Sequence, residues 1–195
     1  MPDHICAGET RKYYVIPGAD SGSTFTWGIN GNVITGINTR EIIYTWNSPG
    51  TFLLEVQERS SDGCPGPKLS GLVIVNPEPE IRISVSDTLI SNGESVIISV
   101  QDPGVLIWGR WIFDLIVEPE AGITGNTTSG TYSGSTNLED ILFTYDRQIH
   151  KVVYRFVPGI RNFEGERTCF GQEAKITVWI YPGSGGKEVF LDIPD

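Results

Sequence analysis

Short apolar stretches alternate with polar turns along the chain, and nowhere do apolar residues recur with the period of an amphipathic helix. Residues Thr24–Trp27 alternate polar and apolar, and Phe52, Leu54 and Val56 share one face of a longer stretch, as half-buried strands do. Gly, Pro, Asn, Asp and Ser separate these stretches, as they do in turns. The pattern therefore predicts a series of short strands, which in the first half are residues 11–16, 24–27, 33–36, 42–46, 51–58 and 69–75.

The second half of the chain repeats landmarks of the first half in the same order. A Cys followed two residues later by Gly stands before the closing strand of each half, at Cys64 and at Cys169. Extra residues fall between landmarks, including the apolar run Trp111–Val117 and the polar stretch Gly125–Asn137, as a scaffold of strands allows. The other matched pairs are Cys6–Thr10 with Ser91–Ser95, Trp27-Gly28 with Trp108-Gly109, Ile34–Gly36 with Ile123–Gly125, and Tyr44–Trp46 with Phe143–Tyr145.

The strand pattern and the repeat together predict an all-β protein with two tandem β-sandwich domains. The first predicted domain covers residues 1–76, and residues 77–80 form a linker that two prolines keep extended. The second predicted domain, residues 81–182, is the longer copy. Residues 183–195 are predicted to be a further linker or the start of a next segment. A chain of 195 residues has room for two domains of ordinary size.

Composition and charge narrow the functional classes. A formal net charge of −10 argues against a nucleic-acid partner, because phosphate binding needs clustered Lys and Arg. No apolar run approaches the roughly 18 residues of a membrane span. The start at Met1–Cys6 lacks the basic and apolar regions of a signal peptide, which suggests a piece of a longer protein. The loops Asp20–Ser23 and Ser61–Gly63 offer oxygens to Ca²⁺, but their sparse carboxylates favour turn capping, so no metal site is predicted.

Motifs that carry catalysis are missing from the sequence. It contains no nucleophile elbow, phosphate-binding loop or zinc-ligand spacing. Neither His4 nor His150 stands in a pattern that would make Cys169 a protease-like nucleophile. We therefore expect no enzyme activity, no catalytic residue and no cofactor.

Taken together, the landmarks resemble a known class of repeat. Cys-x-Gly-Glu near the start, Phe25-Thr-Trp27, Ile34–Gly36, an aromatic-Thr-aromatic strand and Gly63-Cys-x-Gly66 are similar to the PKD-like and Ig-like repeats of large Bacteroidota surface adhesins. The resemblance extends to about residue 182 and implies two Ig-like/PKD-like β-sandwich repeats. It also implies type IX secretion to the cell surface of a Gram-negative bacterium, and a structural or adhesive role as a stalk or spacer in attachment or gliding motility.

The same resemblance suggests partners and leaves other functions open. The implied partners are neighbouring repeats of the same chain, surface polysaccharide, or outer-membrane secretion and motility proteins. The main alternative is a glycan- or protein-binding accessory module of a secreted protein, which an exposed aromatic cluster would favour. A third hypothesis is a periplasmic scaffold of secretion machinery.

The resemblance also bears on the three cysteines. The first Cys of the repeat is Cys6 in the first copy, whereas Ser91 replaces it in the second copy. The comparison of the copies therefore implies a Cys6–Cys64 disulfide and leaves Cys169 without a partner. Two buried free thiols are the alternative to this bridge.

Two kinds of candidate residue remain. Trp27 and Trp108 are predicted to be core aromatics, one in each sandwich, because a central Trp is common in such folds. Stacking against a sugar is their alternative role. Asp87-Thr88-Leu89 resembles the Asp-Thr-aliphatic O-glycosylation signal of Bacteroidota surface proteins, so Thr88 is a predicted modification site.

Overall fold

The computed structural model describes residues 2–16, 22–34 and 38–183, and every regular element in these ranges is a β-strand. The predicted all-β class is confirmed. The described residues do not include all of the predicted loop Asp20–Ser23, the predicted strand 33–36, the landmark Ile34–Gly36 or the segment 183–195.

The chain divides into two compact units that do not coincide with its two halves. Unit 1 comprises Met1–Pro79, Gly104–Arg110 and Ile160–Phe170, and unit 2 comprises Glu80–Pro103, Trp111–Gly159 and Gly171–Asp195. The first boundary falls between Pro79 and Glu80, inside the predicted linker 77–80. The predicted second domain, residues 81–182, differs from unit 2 because residues 104–110 and 160–170 belong to unit 1.

Unit 1 contains two sheets built from the first seven strands. The larger sheet has the order β1-β7-β6-β3-β4, and β2 pairs with β5 in the smaller sheet. Strand β1 runs parallel to the end of β7, with Cys6 opposite Asn76. The strands are β1 Asp3–Cys6, β2 Glu9–Tyr14, β3 Thr24–Ile29, β4 Asn32–Val33, β5 Glu41–Trp46, β6 Gly50–Arg59 and β7 Pro65–Asn76.

Apolar side chains of both sheets form the core of unit 1. Strand β3 buries Phe25 and Trp27 and exposes the threonines between and before them, as its alternating sequence predicts. Ile42 and Trp46 supply the facing side chains from β5. The buried cluster is Ile5, Phe25, Trp27, Ile42, Trp46, Leu54, Val56, Val73 and Val75.

Unit 2 is likewise built from two sheets. The smaller sheet has the order β13-β10-β8, and the larger has the order β12-β11-β14-β16-β9, with β15 paired to β14. Strand β14 continues past Gly159 into unit 1, where β15 also lies. The strands are β8 Arg82–Val85, β9 Leu89–Ser91, β10 Ser95–Gln101, β11 Arg110–Pro119, β12 Gly130–Ser133, β13 Thr136–Ile141, β14 His150–Arg161, β15 Arg167–Phe170 and β16 Ala174–Tyr181.

Two strands of unit 2 bury every second residue. Strand β14 buries Val152, Tyr154 and Phe156, while the residues between them are half-buried. In the facing sheet, β10 buries its own alternate residues, Val96, Ile98 and Val100. Side chains that point alternately to the two faces of a strand therefore account for the buried positions of β10 and β14.

Candidate functional site

A corner of the same construction occurs near the start of each unit. In unit 1, β1 ends at Cys6, and the turn that follows places Gly8 at φ 89°. In unit 2, β9 ends at Ser91, and the corresponding turn places Gly93 at φ 83°. Glycine adopts this left-handed conformation without the steric cost that other residues incur. The Gly shared by the two landmarks therefore has a backbone reason.

Hydrogen bonds repeat at the two corners as well. A glutamate three residues on accepts a bond from the backbone N–H of the corner residue: Cys6 N to Glu9 Oε1 at 3.4 Å, and Ser91 N to Glu94 Oε2 at 2.7 Å. Each glycine N–H donates to the other sheet, Gly8 to the Trp46 carbonyl and Gly93 to the Leu142 carbonyl. Leu142 thus takes the position in unit 2 that Trp46 takes in unit 1, whereas the sequence comparison had matched Trp46 with Tyr145.

A disulfide distinguishes the first corner from the second. Cys6 is bonded to Cys169, with an S–S distance of 2.02 Å, a Cα–Cα distance of 5.6 Å and a sequence separation of 163 residues. Both cysteines belong to unit 1, and Cys169 is fully buried on β15. The predicted Cys6–Cys64 pairing is therefore wrong, and Cys169 is not an orphan. Cys64 is the free thiol, and it is exposed.

Strand register explains the different pairing. Cys64 precedes β7, whereas Cys6 pairs with Asn76 at the far end of that 12-residue strand. A strand rises about 3.3 Å per residue, so the two positions are roughly 40 Å apart along β7. Disulfides require Cα atoms within about 7 Å. Cys6 and Cys64 therefore cannot meet in this fold.

A tight turn presents Cys169 to the first corner. The turn joins β14 to β15, and Asn162 holds it by donating its backbone N–H to the Glu166 carbonyl at 2.8 Å. The Asn162 side chain accepts the Glu166 N–H at 2.7 Å, and the Gly165 N–H donates to the Asn162 carbonyl. Asn and Gly favour such turns for these reasons. The turn sends the chain back as β15, which carries Cys169.

The two predicted core tryptophans have different environments. Trp27 is buried in the core of unit 1, as predicted, and its Nε1–H donates to the Thr39 carbonyl at 2.9 Å. Trp108 is 42% exposed, so its predicted core position is wrong. It lies in the loop before β11 and belongs to unit 1, while the buried aromatics Trp111 and Phe113 follow on β11 itself.

Trp108 is the centre of an exposed aromatic cluster, which consists of His4, Trp108, Arg110 and Phe163. The Trp108 ring lies 5.6 Å from the His4 ring and meets the Phe163 ring edge-on at 5.1 Å. The Arg110 guanidinium lies 5.7 Å from the Phe163 ring centre, at cation–π distance. Phe163 is 56% exposed, so the cluster offers an aromatic surface to solvent.

The backbone beneath this aromatic cluster is fixed on both sides of Trp108. The Trp108 N–H donates to the side chain of buried Asn76 at 3.0 Å. Gly109 has φ 101°, and a Cβ there would lie 2.6 Å from the Arg161 carbonyl oxygen. The loop thus packs closely against the β14 end of unit 1. The hydrogen bond at Trp108 and the close approach at Gly109 fix the backbone that carries the indole ring.

Elsewhere in unit 1, a groove of about 520 Å³ is lined by apolar and aromatic side chains, including Tyr13, Val15 and Leu54. The Tyr13 hydroxyl donates to Asp3 Oδ2 at 2.9 Å and accepts from Trp46 Nε1 at 3.0 Å. Burial, reinforced by the Asp3 carboxylate, raises the pKa of Tyr13 well above its ordinary value. The phenol therefore stays protonated and donates to Asp3.

Two buried titratable groups of unit 2, Asp140 and His150, also have structural partners. Buried Asp140 accepts hydrogen bonds from Tyr154 and from Thr127. His150 Nε2 lies 2.7 Å from Asp146 Oδ1, and its Nδ1 lies 3.6 Å from Glu120. Across the described residues, no group of three or more His, Cys, Asp or Glu side chains is arranged to hold a metal ion.

Thr88 lies on an exposed turn of unit 2. Asp87 caps this turn by accepting the Leu89 N–H at 3.0 Å, while the Thr88 carbonyl accepts the Trp179 N–H. The Thr88 side chain is exposed, so O-glycosylation there stays a prediction.

The β-sandwich fold of the chain is similar to that of several solved structures. No family model matches the sequence, and no curated protein matches it. The three N-terminal domains of the bacteriophage RB49 outer capsid protein Hoc are similar, with a TM-score of 0.51 and 11% identity over 94% of this chain and 68% of that chain.

Two further solved structures resemble the chain in fold alone. The fibronectin(III)-like modules of Clostridium thermocellum CbhA have a TM-score of 0.41 and 14% identity, over 93% of this chain and 89% of that chain. SGBP-B of the Bacteroides ovatus mixed-linkage glucan utilization locus, in complex with a mixed-linkage heptasaccharide, has a TM-score of 0.35 and 16% identity. That alignment covers 91% of this chain and 42% of that chain. In the part of this chain that is described, no helix has the length and apolarity to cross a membrane.

Proposed function

We propose that this chain is a structural module of a long, secreted surface protein and acts as a stalk or spacer in attachment or gliding motility. The observation that carries the proposal is the Cys6–Cys169 disulfide, which lies within unit 1 of a chain that forms two β-sandwich units. Disulfides persist in oxidising compartments outside the cytosol, where exported proteins fold. The role is mechanical and not catalytic. The proposed location is the cell surface of a Gram-negative bacterium.

The repeated corners support a place in a longer array. Cys6–Glu9 and Ser91–Glu94 make equivalent backbone and carboxylate contacts, as expected of copies of one repeat. In such arrays each module contacts its neighbours, and stability is roughly a sum of module and neighbour terms. The proposed partners are therefore neighbouring repeats of the same chain, together with surface polysaccharide or outer-membrane proteins of secretion and motility.

Surface exposure on intact cells tests this proposal directly. Antibodies raised against the chain should label intact cells of the bacterium that carries it, and brief external proteolysis should remove the label. In-frame deletion of the coding segment for residues 1–182 should leave the rest of the surface protein exported and reduce attachment or gliding. Labelling that appears only after permeabilisation would contradict the proposal.

Glycan binding is a second candidate function, and the aromatic cluster around Trp108 favours it. Exposed aromatic rings stack against the apolar faces of sugars, and Trp108 combines 42% exposure with a fixed backbone. Trp179 provides a matched control, because it is also 42% exposed but Lys151 Nζ lies 5.2 Å from its ring centre.

The glycan test compares two variants of the full chain. If the cluster binds polysaccharide, retardation in affinity gels that contain purified cell-surface polysaccharide should disappear in Trp108→Ala and persist in Trp179→Ala. Equal retardation of the parent, Trp108→Ala and Trp179→Ala would exclude a glycan site at Trp108 for the polysaccharides used. The absence of retardation in the parent would exclude it as well. Neither result would bear on the stalk proposal, which requires no glycan.

A further inference from the structure

We propose that the Cys6–Cys169 disulfide is a mechanical bypass. A force applied at the chain ends passes through the disulfide and not through residues 7–168, which form most of both β-sandwich units. The inference deepens the proposed stalk function and rests on it for its biological use. The bypass itself follows from which residues lie inside the covalent loop and which lie outside it.

Nearly all of both sandwiches lies inside this loop. The bridge joins residues 163 positions apart, so residues 7–168 connect the same two points as the disulfide does. This stretch contains strands β2 to β14 and the start of β15. Among the strands in the described ranges, only β1, the end of β15 and β16 lie on the direct path between the chain ends.

The bridge prevents the loop from being stretched. It holds the Cα atoms of Cys6 and Cys169 at 5.6 Å, and a disulfide limits this distance to less than about 7 Å even when it is deformed. The ends of residues 7–168 therefore cannot separate, whatever force acts on the chain ends. Unfolding inside the loop adds no length and relieves no tension, so force does not favour it.

The strands on the direct path are already extended. β1 spans Asp3–Cys6 and β16 spans Ala174–Tyr181, and tension enters each strand at one end and leaves it at the other. A β-strand is close to the maximum length per residue of a polypeptide. The load therefore runs along the backbones of β1 and β16. Their hydrogen-bonded neighbours β7, β14 and β9 lie inside the loop and carry no load, so tension does not pull paired strands in opposite directions.

Chain length converts this connectivity into a measurable prediction. With the bridge intact, only residues 1–5 and 170–195 can lengthen, and at about 3.4 Å per residue their full contour is roughly 110 Å. Opening the bridge makes another 163 residues available, which adds about 550 Å. A dithiol reductant opens the bridge by supplying two electrons and two protons, which leaves one thiol on Cys6 and one on Cys169.

Single-molecule force spectroscopy of the full chain, tethered at both ends, tests the bypass. The reference protein is Cys64→Ser, because this change removes the exposed free thiol and prevents disulfide exchange. We expect the extension of this protein to stay within roughly 110 Å, the full contour length of the loaded segments 1–5 and 170–195. The double variant Cys64→Ser/Cys169→Ser should show unfolding steps that total about 550 Å more.

A second route to the open state guards against a variant that fails to fold. Cys64→Ser/Cys6→Ser opens the same loop while leaving buried Cys169 in place, and reductant added to the tethered reference protein opens it without any further substitution. Unfolding steps of the long total length in the bridged reference protein would overturn the bypass. Equal short extension of the bridged and opened proteins would overturn it as well.

The outcome is separable from that of the stalk proposal. Surface labelling and deletion in cells report whether the chain is a surface module, whereas the force traces report only how the bridge routes the load. A bypass seen in a protein that is not at the surface would leave the mechanical inference standing and remove its proposed use. A surface stalk without the bypass would leave the stalk proposal standing and overturn the mechanical inference.

Discussion

Buried polar side chains in unit 2 show how single residues connect its two sheets. The Tyr154 hydroxyl on β14 donates to Asp140 Oδ2 on β13 at 2.5 Å, and the backbone N–H of Thr127 donates to Asp140 Oδ1 at 2.9 Å. Burial raises the pKa of Tyr154 far above its ordinary value, and the Asp140 carboxylate raises it further. The phenol therefore stays protonated and acts as a donor across the core.

Removal of the Tyr154 hydroxyl should destabilise unit 2. Tyr154→Phe leaves one oxygen of a buried carboxylate without its donor, and such a loss costs about 1.5–3 kcal/mol. Urea denaturation followed by tryptophan fluorescence measures this change. Tyr132→Phe is the matched control, because its hydroxyl bonds to the Thr128 carbonyl at an exposed site and its loss should cost well under 1 kcal/mol. Equal losses in the two variants would contradict a bridging role for Tyr154.

Asp146 should contribute a small, acid-sensitive part of the stability. The Gln148 N–H and then the His150 ring donate to its carboxylate, and they hold the pKa of Asp146 below its ordinary value. A carboxyl whose folded-state pKa is lowered stabilises the fold above its ordinary pKa, near 3.9, and this contribution is lost as pH falls further. The melting temperature of the parent should therefore exceed that of Asp146→Asn at pH 6.

The pH series supplies its own control. Between about pH 4 and pH 2 the gap in melting temperature between the parent and Asp146→Asn should shrink, because both proteins then lack the charge. A gap that stays constant from pH 6 to pH 2 would show that the Asp146 charge does not contribute.

At the scale of elements, the sequence predicted strands better than it predicted the pairing between them. The pattern of apolar stretches and turns located β3, β5 and β6, and the repeated Cys-x-Gly-Glu and Ser-x-Gly-Glu landmarks fold into equivalent corners. The Cys6–Cys64 pairing failed because neighbours across a sheet depend on register, and register is set by the whole sheet and not by local pattern.

The wrong prediction of a core position for Trp108 has a related cause. Trp108-Gly109 matches Trp27-Gly28 in sequence, but Trp27 lies within β3 whereas Trp108 lies before β11 begins. The buried aromatics of β11 are Trp111 and Phe113. The sequence shows Trp111–Val117 only as an apolar run, and a run that is apolar at almost every position does not show which residues face the core. The aromatic cluster around Trp108 could not be predicted, because its members are distant in sequence.

Cysteine chemistry tests the observed pairing at this scale. The native protein should react with one equivalent of a thiol reagent, at Cys64, and the reduced, denatured protein should react with three. Proteolysis without reduction should give a peptide pair that contains Cys6 and Cys169. A pair that contains Cys64 would contradict the structure.

The same cysteines predict unequal effects on stability. A bridge that closes a 163-residue loop lowers the conformational entropy of the unfolded chain, which raises the free energy of unfolding by about 5 kcal/mol. Cys169→Ser should therefore lower the denaturation midpoint strongly, and Cys64→Ser should leave it nearly unchanged. Similar midpoints for the two variants would show that the bridge contributes little to folding.

At the scale of the whole molecule, compact units and sequence halves are different divisions of the chain. Unit 1 takes Gly104–Arg110 and Ile160–Phe170 from the second half, and these segments supply Trp108, Phe163 and Cys169. A repeat read from the sequence predicts two independent domains, 1–76 and 81–182. The structure instead makes unit 1 depend on residues that are synthesised long after its seven strands, so its completion requires most of the chain.

This dependence predicts how the first half behaves alone. A fragment of residues 1–79 retains all of β1 to β7 and the core cluster of unit 1, and it should form β-structure. It lacks the bridge, the Asn76 contact with the Trp108 N–H and the packing of His4 against Trp108. We therefore expect it to melt at a lower temperature than unit 1 in the full chain.

The full chain with Cys6→Ser separates the two contributions. This variant loses the bridge but keeps residues 104–110 and 160–170, so its melting temperature should fall between those of the parent and the 1–79 fragment. Circular dichroism at 218 nm and tryptophan fluorescence would follow the transitions of the three proteins. If the fragment melted at the same temperature as full-length Cys6→Ser, the two segments from the second half would contribute nothing beyond the disulfide. Unit 1 would then be complete within residues 1–79, because the aromatic and Asn76 contacts would add no measurable stability.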